Sequence, residues 1–204
     1  MPSADGAFVC GLVLAAGGSS RLGRPKQLLP YRGRPLLEHV LGVARGCGFD
    51  QLLCVVGGGA EGVRDAVDVS GVDVVENRRF GQGCSSSIAA ALGTVDTRCD
   101  VLVLMLGDQP GVRVSTVGAL LAGRGAAPLA VCRYADGRGH PLAFSRALFG
   151  DLGALHGDKG VWKLLDRLGD AAAEVRVDGP IPPDIDTWED YQAALAADGA
   201  VRPV

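Results

Sequence analysis

Residues 8–26 read FVCGLVLAAGGSSRLGRPK, an apolar run followed by a loop rich in glycine and serine. The run Phe8–Leu14 predicts a buried strand. Glycine and serine let the backbone turn sharply, and successive N–H groups can then point at phosphate oxygens. Arg21 adds a planar fork of donors and Lys26 a mobile charge. The segment indicates a strand that ends in a phosphate-binding loop, and the alternative is a glycine-rich turn with solvated cations.

Apolar runs alternate with helical periodicity along the rest of the chain. The predicted strands are Phe8–Leu14, Gln51–Val56, Val72–Glu76, Val101–Leu106, Leu129–Tyr134, Pro141–Ser145 and Ala173–Val177. The predicted helices are Pro35–Arg45, Glu61–Val67, Ser85–Val95, Val114–Ala122, Lys159–Leu168 and Thr187–Ala197, with Gly46, Gly48 and Gly123 as helix stops. This order predicts a three-layer, Rossmann-like α/β domain with a mostly parallel central sheet. We expect one domain over residues 1–204, with a core at about 8–197 and short flexible termini.

Composition excludes several classes of protein. The chain has 204 residues, of which 48% are apolar and 21% charged, and its 31 glycines and 11 prolines fall short of low-complexity disorder. A net charge of -3 and 5% aromatic residues argue against nucleic-acid binding. No apolar stretch approaches a membrane span, and the start lacks a cationic leader, so we expect a cytoplasmic protein. The six cysteines form no Cys-x-x-Cys pair and predict buried free thiols.

Two known phosphate-binding motifs do not match the first loop. Gly18 and Gly23 have the spacing of a Walker A motif, but Arg24 and Pro25 follow where Lys and Ser/Thr are needed. A P-loop kinase or ATPase is therefore disfavoured. The dinucleotide-binding fingerprint G-x-G-x-x-G fails because Ser19 occupies the second glycine position.

Acidic residues lie after one predicted strand and at the start of one predicted helix. Asp108 follows the strand Val101–Leu106 after one glycine, where a carboxylate suits Mg²⁺, although an Asp in a Gly/Pro turn is often only a cap. Residues 184–191 read DIDTWEDY, in which Thr187 can cap a helix with Asp190 three residues on. Asp186 also suits a helix N-terminus electrostatically.

The motif L-A-A-G-x-S-x-R-x-G-x-x-K over residues 14–26, followed by Leu28-Leu29-Pro30 and Gly33-x-Pro35-Leu36-Leu37, resembles the opening signature of MobA-like nucleotidyltransferases. The similarity is closest to the branch of molybdenum cofactor cytidylyltransferases, which is MocA-like, and it implies the fold of nucleotide-diphospho-sugar transferases. It continues at intervals to about residue 192, through Leu-Gly-Asp-Gln-Pro at 106–110, Gly-His-Pro at 139–141 and Asp-Ile-Asp-Thr at 184–187. Leu22 and Trp188 depart from the family's usual Met and Pro.

The resemblance assigns roles to residues of this chain. It implies nucleotide contacts by Leu14, Ala15, Ala16, Gly17, Gly18, Ser19, Arg21, Gly23, Lys26, Gly57, Asn77, Gly83 and Asp108, of which Arg21, Lys26 and Asp108 would be catalytic. It implies acceptor contacts by Ser85, Ser86, Gln109 and His140, and metal binding by Asp108 and Asp186. The loop Gly157–Gly160 is similar to a further family loop, and its alternative is a turn with a helix cap.

The implied activity is transfer of a nucleoside monophosphate from a triphosphate to a phosphorylated acceptor, with release of pyrophosphate. The sequence Ala15-Ala16-Gly17 is similar to the cytidylyl branch and favours CTP. The implied ion is Mg²⁺, with Mn²⁺ as the alternative, and the implied acceptor is molybdopterin, with a molybdenum hydroxylase apoenzyme as a partner. Alternatives are a guanylyltransferase, a sugar- or polyol-phosphate nucleotidyltransferase, and a non-catalytic chaperone that carries cofactor to a hydroxylase.

Overall fold

The computed structural model describes residues 6–199, which form a central sheet with helices on both faces. The strands are β1 (Val9–Ala15), β2 (Pro30–Tyr31), β3 (Arg34–Pro35), β4 (Gln51–Val56), β5 (Asp73–Glu76), β6 (Val101–Leu106), β7 (Leu129–Arg133), β8 (Arg138–Ser145) and β9 (Ala172–Arg176). The helices are α1 (Leu36–Gly46), α2 (Ala60–Ala66), α3 (Cys84–Leu92), α4 (Val114–Arg124), α5 (Phe149–Gly153), α6 (Gly160–Leu168) and α7 (Trp188–Gly199).

The sheet has seven strands in the order β5-β4-β1-β6-β8-β7-β9. Strand β1 lies inside the sheet, with Val13 paired to Cys54 of β4 on one side and to Met105 of β6 on the other, both in parallel register. Among these seven strands, β8 runs antiparallel to both of its neighbours. The mostly parallel sheet predicted from the sequence is therefore confirmed, and β8 reverses direction within it.

Three layers follow from the alternation of side chains along the buried strands. On β1, Val9, Val13 and Ala15 join the core cluster that includes α1, α2 and α4, whereas Cys10, Leu12 and Leu14 join the cluster that includes α3, α5 and α6. Because consecutive strand residues point to opposite faces, an unbroken apolar run is needed where both faces are covered. The three-layer α/β domain is confirmed.

A third, smaller core joins the β2–β3 hairpin to the last helix, α7. Leu29, Tyr31 and Leu36 around the β2–β3 hairpin pack with Ile185 and Tyr191 at the start of α7. The Tyr191 hydroxyl also donates a hydrogen bond to the Pro30 carbonyl. This packing places the acidic segment before α7 against the loop that follows β1.

The structure corrects several details of the sequence reading. Gly123, predicted to stop a helix, lies inside α4, and Gly125 with φ +54° follows the helix end instead. Gly139-His140-Pro141, expected to precede a strand, lies within β8. Helix α3 ends at Leu92 instead of Val95, because the chain turns at Gly93 and Thr94 bonds back to Ala91. The β2–β3 hairpin and α5 were not predicted.

The cysteines largely agree with the prediction of buried free thiols. All six cysteines are free thiols, and five are buried. The expected flexible termini lie outside the described residues. No helix between residues 6 and 199 has the length and apolar content needed to cross a bilayer.

Two glycines of α4 provide a matched test of the packing between this helix and the sheet. A Cβ added at Gly123 would lie 2.6 Å from a methyl carbon of Val175 on β9, whereas one at Gly118 would have nothing within 4 Å. We expect Gly123→Ala to lower the free energy of unfolding by about 1–3 kcal/mol through overpacking. Gly118→Ala should raise it by about 0.5–1 kcal/mol, because alanine loses less entropy in a helix.

Urea unfolding followed by circular dichroism measures both free energies. Equal effects of the two substitutions would contradict the close contact between α4 and β9.

Candidate active site

The candidate site lies at the carboxyl ends of the central strands β1, β4 and β6. The loop that follows β1 lies beside the end of β6, where the Gly107 N–H donates to the Leu14 carbonyl over 2.8 Å. Asp108 follows at once, so the parallel pairing of β1 and β6 places its carboxylate next to the first loop. Ligands of open α/β sheets bind at such strand ends.

Lys26 joins the two carboxylates that the resemblance assigns to a metal. Its Nζ lies 2.6 Å from Asp108 Oδ2 and 2.7 Å from Asp186 Oδ1. The residue is only 8% exposed, and its backbone N–H donates to Ser19 Oγ over 2.9 Å. Burial opposes the charge on Lys26, but Asp108 and Asp186 outweigh it and raise the pKa of the ammonium above its ordinary value. The predicted residues Lys26, Asp108 and Asp186 are thus brought together as a charged cluster.

Arg21 lies at the rim of this cluster. Its Nη1 is 3.7 Å from Asp186 Oδ2, and its side chain is 69% exposed. At that exposure the ion pair contributes little to stability. The predicted contact of Arg21 with a triphosphate stays a prediction.

The segment before α7 serves as a helix cap and as a carboxylate donor. Asp190 accepts hydrogen bonds from the Thr187 N–H and hydroxyl, both over 2.8 Å, and its own N–H donates to Thr187 Oγ1. This reciprocal pair is a capping box. The Ile185 N–H donates to the Asp108 carbonyl, which anchors the segment and leaves the Asp186 carboxylate facing Lys26. The predicted helix cap is therefore confirmed, and metal binding by Asp186 stays a prediction.

Asp184 is a member of the site that the sequence reading missed. Partial burial and the negative charges of Asp108 and Asp186 raise its pKa to about 6. Asp184 and Asp186 stand on either side of the fully buried Ile185 in the sequence. In an extended chain, residues two positions apart face the same way, so these two carboxylates are expected on one side. That alternation was the available signal.

Two adjoining cavities open on either side of the first loop. The smaller has a volume of about 460 Å³ and the larger about 780 Å³, and both are lined by Gly17, Gly18, Ser20 and Phe80. Phe80 packs against Gly57, where an added Cβ would lie 2.9 Å from its ring and 2.6 Å from the Ala16 carbonyl. Phe80 was not predicted, and it forms a wall common to both cavities.

The smaller cavity contains much of the predicted nucleotide site. Of the predicted residues it is lined by Ala15, Gly17, Gly18, Ser19, Gly23 and Gly57. Gln27 also lines it, and its buried amide donates to the Ala15 carbonyl over 2.6 Å and to the Gly17 carbonyl over 3.2 Å. Gln27 thereby fixes the turn of the first loop, a role that its place after Lys26 in the sequence does not reveal.

The larger cavity contains the remaining nucleotide positions and part of the predicted acceptor site. The predicted residues that line it are Leu14, Ala16, Gly17, Gly18, Gly83, Asp108, Gln109 and His140. Its wall includes Trp162, whose ring meets the His140 imidazole edge to face with centroids 5.4 Å apart. Enclosure of the His140 ring lowers its pKa to about 4, so the imidazole is neutral at physiological pH. The sequence reading missed Trp162.

Gln109 offers an unsatisfied acceptor at this wall. Its Nε2 donates to the Pro182 carbonyl over 3.0 Å, while its buried Oε1 has no hydrogen-bond partner among the described residues. Buried amide oxygens are normally paired, so this atom suits a donor group on a bound molecule.

Three of the predicted contact residues are used inside the protein. The buried Asn77 amide donates to the Ser86 and Ser87 hydroxyls over 2.8 and 3.0 Å. The Ser85 and Ser86 hydroxyls donate to the carbonyls of Gly157 and Gly83. None of Asn77, Ser85 and Ser86 lines either cavity, because these bonds hold the start of α3 from below.

Glycine and Asp158 shape the wall above α3. Gly83 has φ +94°, and an added Cβ there would lie 2.8 Å from Asp158 Oδ1. That oxygen accepts the Cys84 N–H over 2.9 Å, so the loop Gly157–Gly160 caps the distant helix α3, whereas Lys159 at the start of α6 makes no side-chain capping hydrogen bond. Cys84 and Ser87 line the larger cavity in place of the predicted serines.

The donor set at Asp108 and Asp186 suits a magnesium-type ion. The described residues contain no group of three or more His, Cys, Asp or Glu side chains arranged for a metal. Magnesium, however, commonly uses one or two carboxylates together with substrate phosphates. The Asp184 carboxyl adds a third acidic group, and its pKa is raised first by burial and then by the negative charges of Asp108 and Asp186. Hard oxygen donors with excess negative charge are what such an ion requires.

Comparison with known proteins identifies relatives of this chain. Residues 11–172 match the MobA-like NTP transferase domain. The chain is 34% identical over 156 residues to nicotine blue oxidoreductase of Paenarthrobacter nicotinovorans, covering 72% of this chain and 76% of that one.

Two solved structures are more similar still. The Mycobacterium sp. strain JC1 homologue of Mycobacterium tuberculosis Rv0371c is 49% identical, with a TM-score of 0.89 over 96% of this chain and 98% of that one. Rv0371c of Mycobacterium tuberculosis H37Rv, solved as a complex with manganese, is 47% identical, with a TM-score of 0.83 over 94% of this chain and 100% of that one. The resemblance seen in the first loop is confirmed: this chain belongs to the MobA-like NTP transferase family.

Proposed function

We propose that this protein moves a nucleoside monophosphate from CTP to a phosphorylated acceptor, releases pyrophosphate, and does so through a single domain. The observation that carries the proposal is the Lys26–Asp108–Asp186 cluster beside two adjoining cavities. A reaction between a nucleotide and a phosphorylated acceptor needs a cavity for each substrate and charged side chains where the two cavities meet. The cytoplasm supplies nucleoside triphosphates and keeps the six thiols reduced, so we place the reaction there.

The first loop is proposed to hold the triphosphate. Gly17, Gly18 and Ser20 of this loop line both cavities, and their backbone N–H groups can bind phosphate oxygens. The Lys26 ammonium can neutralise phosphate charge, and Arg21 at the rim can close over it. The smaller cavity, which Gly57 and Gln27 line, would take the base and ribose. The choice of CTP over GTP rests on Ala15-Ala16-Gly17 and its similarity to the cytidylyl branch.

The proposed reaction needs no strong base. A phosphate oxygen of the acceptor attacks the α-phosphorus, a new P–O bond forms, and the bond to the β-phosphate breaks so that pyrophosphate leaves. A phosphate monoester has a second pKa of about 6 and is already anionic at neutral pH. The protein therefore positions the groups and neutralises charge, as in phosphoryl transfer generally. A bound Mg²⁺ or Mn²⁺ ion, held by Asp108 and Asp186, would supply Lewis-acid stabilisation of the phosphates.

The larger cavity supports an acceptor with a flat ring. Trp162 and the neutral His140 form an aromatic wall, and Gln109 Oε1 offers an acceptor for an N–H donor. Aromatic walls bind planar heterocycles by stacking. We therefore propose molybdopterin as the acceptor, with a molybdenum hydroxylase apoenzyme downstream, ahead of sugar or polyol phosphates. Guanylyl transfer and a non-catalytic chaperone role are the alternatives that the test must separate.

A second candidate function is oxidation or reduction of a small aromatic molecule. It is favoured by the relative named nicotine blue oxidoreductase and by the aromatic wall at Trp162. The first loop lacks the G-x-G-x-x-G fingerprint of dinucleotide cofactors, which weighs against it. Change in nicotinamide absorbance with an aromatic substrate, without pyrophosphate release, would support this function over nucleotidyl transfer.

Substitution of Asp108 tests whether the chain is an enzyme of the proposed kind. With CTP, molybdopterin and Mg²⁺, we expect pyrophosphate release, and Asp108→Asn should reduce turnover at least 100-fold because charge stabilisation at the reacting phosphates is lost. Binding of CTP should be largely retained. Asp170→Asn, at an exposed carboxylate of the 3₁₀ turn Gly169–Ala171, is the matched control and should not alter turnover.

A panel of CTP, GTP, ATP and UTP, each with molybdopterin, ribose 5-phosphate and erythritol 4-phosphate, identifies the substrates. Faster release with GTP would replace the cytidylyl assignment by guanylyl transfer. Undiminished turnover of Asp108→Asn, or no release with any pair, would contradict nucleotidyl transfer.

Substitution of the cavity tryptophan tests the ring-bearing acceptor. The chain has two tryptophans, and Trp188 lies outside both cavities. Trp162→Leu should weaken binding of molybdopterin about fivefold or more, since base–aromatic stacking of this kind contributes about 1–3 kcal/mol. Trp188→Leu should leave it unchanged, and ribose 5-phosphate should be insensitive to both. Calorimetry measures these affinities, and equal loss in the two variants would remove Trp162 from the acceptor site.

A further inference from the structure

We propose that the Lys26 ammonium occupies the place of a metal ion in the free protein, where it holds Asp108 and Asp186 together. When a metal ion binds together with the nucleotide, the ammonium moves from these carboxylates to the nucleotide phosphates. The inference deepens the proposed function and rests on its assignment of these carboxylates to a metal. It adds a positioning role for Lys26 and an order of binding, in which the free protein binds divalent cations weakly.

The contacts of the ammonium support the exchange. Nζ lies within 2.7 Å of one oxygen on each carboxylate, which are Asp108 Oδ2 and Asp186 Oδ1. A metal ion held between the same two residues would compete for these oxygens. Two cations that share two carboxylates repel one another strongly at such distances. Lys26 therefore has to be displaced for both carboxylates to serve a metal.

Burial makes this competition strong. The side chains of Lys26 and Asp108 are only 10% and 20% exposed, so solvent screens little of the interaction between them. Asp186 is 50% exposed and also faces Arg21, whose Nη1 is 3.7 Å from the other oxygen of its carboxylate. The cluster is thus closed on the Asp108 side and open on the Asp186 side, where an ion bound to phosphates can enter.

The path of the lysine stem gives the ammonium a second set of partners nearby. Its backbone is held by Ser19 Oγ, and its Cε lies 3.5 Å from the position of a Cβ at Gly17. The stem therefore runs beneath the first loop, the site proposed for the triphosphate. Lysine is flexible and carries a point charge, so small rotations can move Nζ from the carboxylates to anionic oxygens bound by that loop. The metal ion then takes the place of the ammonium at the two carboxylates, and the nucleotide phosphates take the place of the carboxylates at the ammonium.

If Lys26 competes with the metal ion, removal of its charge strengthens metal binding by the nucleotide-free protein. With nucleotide bound, wild type and the variant should bind the metal ion equally tightly. Binding of Mn²⁺ is measured by electron paramagnetic resonance of the full chain without nucleotide. We expect Lys26→Gln to bind Mn²⁺ at least about tenfold more tightly than wild type. Lys163→Gln removes an exposed charge on α6 and is the matched control, which should change the affinity less than twofold. The double variant Lys26→Gln/Asp108→Asn should lose the gain.

The same titration with the non-hydrolysable α,β-methylene CTP tests the exchange itself. Wild type should then bind Mn²⁺ at least tenfold more tightly than without nucleotide, and the advantage of Lys26→Gln should disappear. Unchanged or weaker Mn²⁺ binding by Lys26→Gln, with or without a detectable site in wild type, overturns the inference. Pyrophosphate release by wild type decides the proposed function separately, because it does not depend on where the ammonium lies in the free protein.

A measurement on wild type keeps the inference testable if Lys26→Gln does not fold. The chain has three lysines, Lys26, Lys159 and Lys163, and the last two are exposed. In protein labelled with ¹⁵N at lysine Nζ, the buried ammonium should give a protected NMR signal that 1 mM Mg²⁺ alone does not shift and that Mg²⁺ with α,β-methylene CTP does. A shift with Mg²⁺ alone that equals the shift with nucleotide overturns the inference.

Discussion

The ion pairs of Lys26 with Asp108 and Asp186 are the interaction on which the rest of the site depends. They join residues that are 82 and 160 positions apart in the sequence, and each partner comes from a different part of the fold. Burying an ammonium is costly unless carboxylates compensate it, and burying carboxylates is costly unless a cation does. Lys26 and Asp108 are largely buried, so each compensates the charge of the other before any ligand binds, while the half-exposed Asp186 completes the cluster.

The fold supplies this geometry through two separate devices. Parallel pairing of β1 and β6 places Asp108 beside the first loop, and this arrangement needs only the central sheet. The Asp186 carboxylate depends instead on the small core in which Ile185 and Tyr191 pack on the β2–β3 hairpin. The capping box at Thr187 then fixes where α7 begins. One carboxylate is positioned by backbone pairing and the other by side-chain packing.

Sequence reasoning performed well where local pattern determines structure. Val101–Leu106 is wholly apolar and proved to be a strand buried on both faces, and the helix predicted over Pro35–Arg45 proved to be α1, Leu36–Gly46. It failed where a distant contact decides. Nothing local shows that Gly123 continues α4 instead of ending it, and a glycine fits there because Val175 of β9 leaves no room for a side chain. The reversed direction of β8 likewise follows from its neighbours in the sheet and not from its own residues.

The candidate site divides in the same way. The first loop, Asp108 and Asp186 could be found because each belongs to a motif with its own spacing. Trp162 could not, because an aromatic residue on an amphipathic helix looks like any core residue until β8 brings His140 against it. The serines at the start of α3 were recognised as important, but their hydroxyls support the loop from within, a difference that only the direction of each hydrogen bond reveals.

The distance in sequence between Lys26 and Asp186 also bears on how the protein is made. A ribosome releases the chain from its amino end, so β1, the first loop and Asp108 emerge long before residue 186. During that interval the sheet can form around β1, β4 and β6, but Lys26 has only one of its two partners and the hairpin has no helix to cover it. The charged cluster is therefore complete only after α7 has been synthesised and has packed on the β2–β3 hairpin.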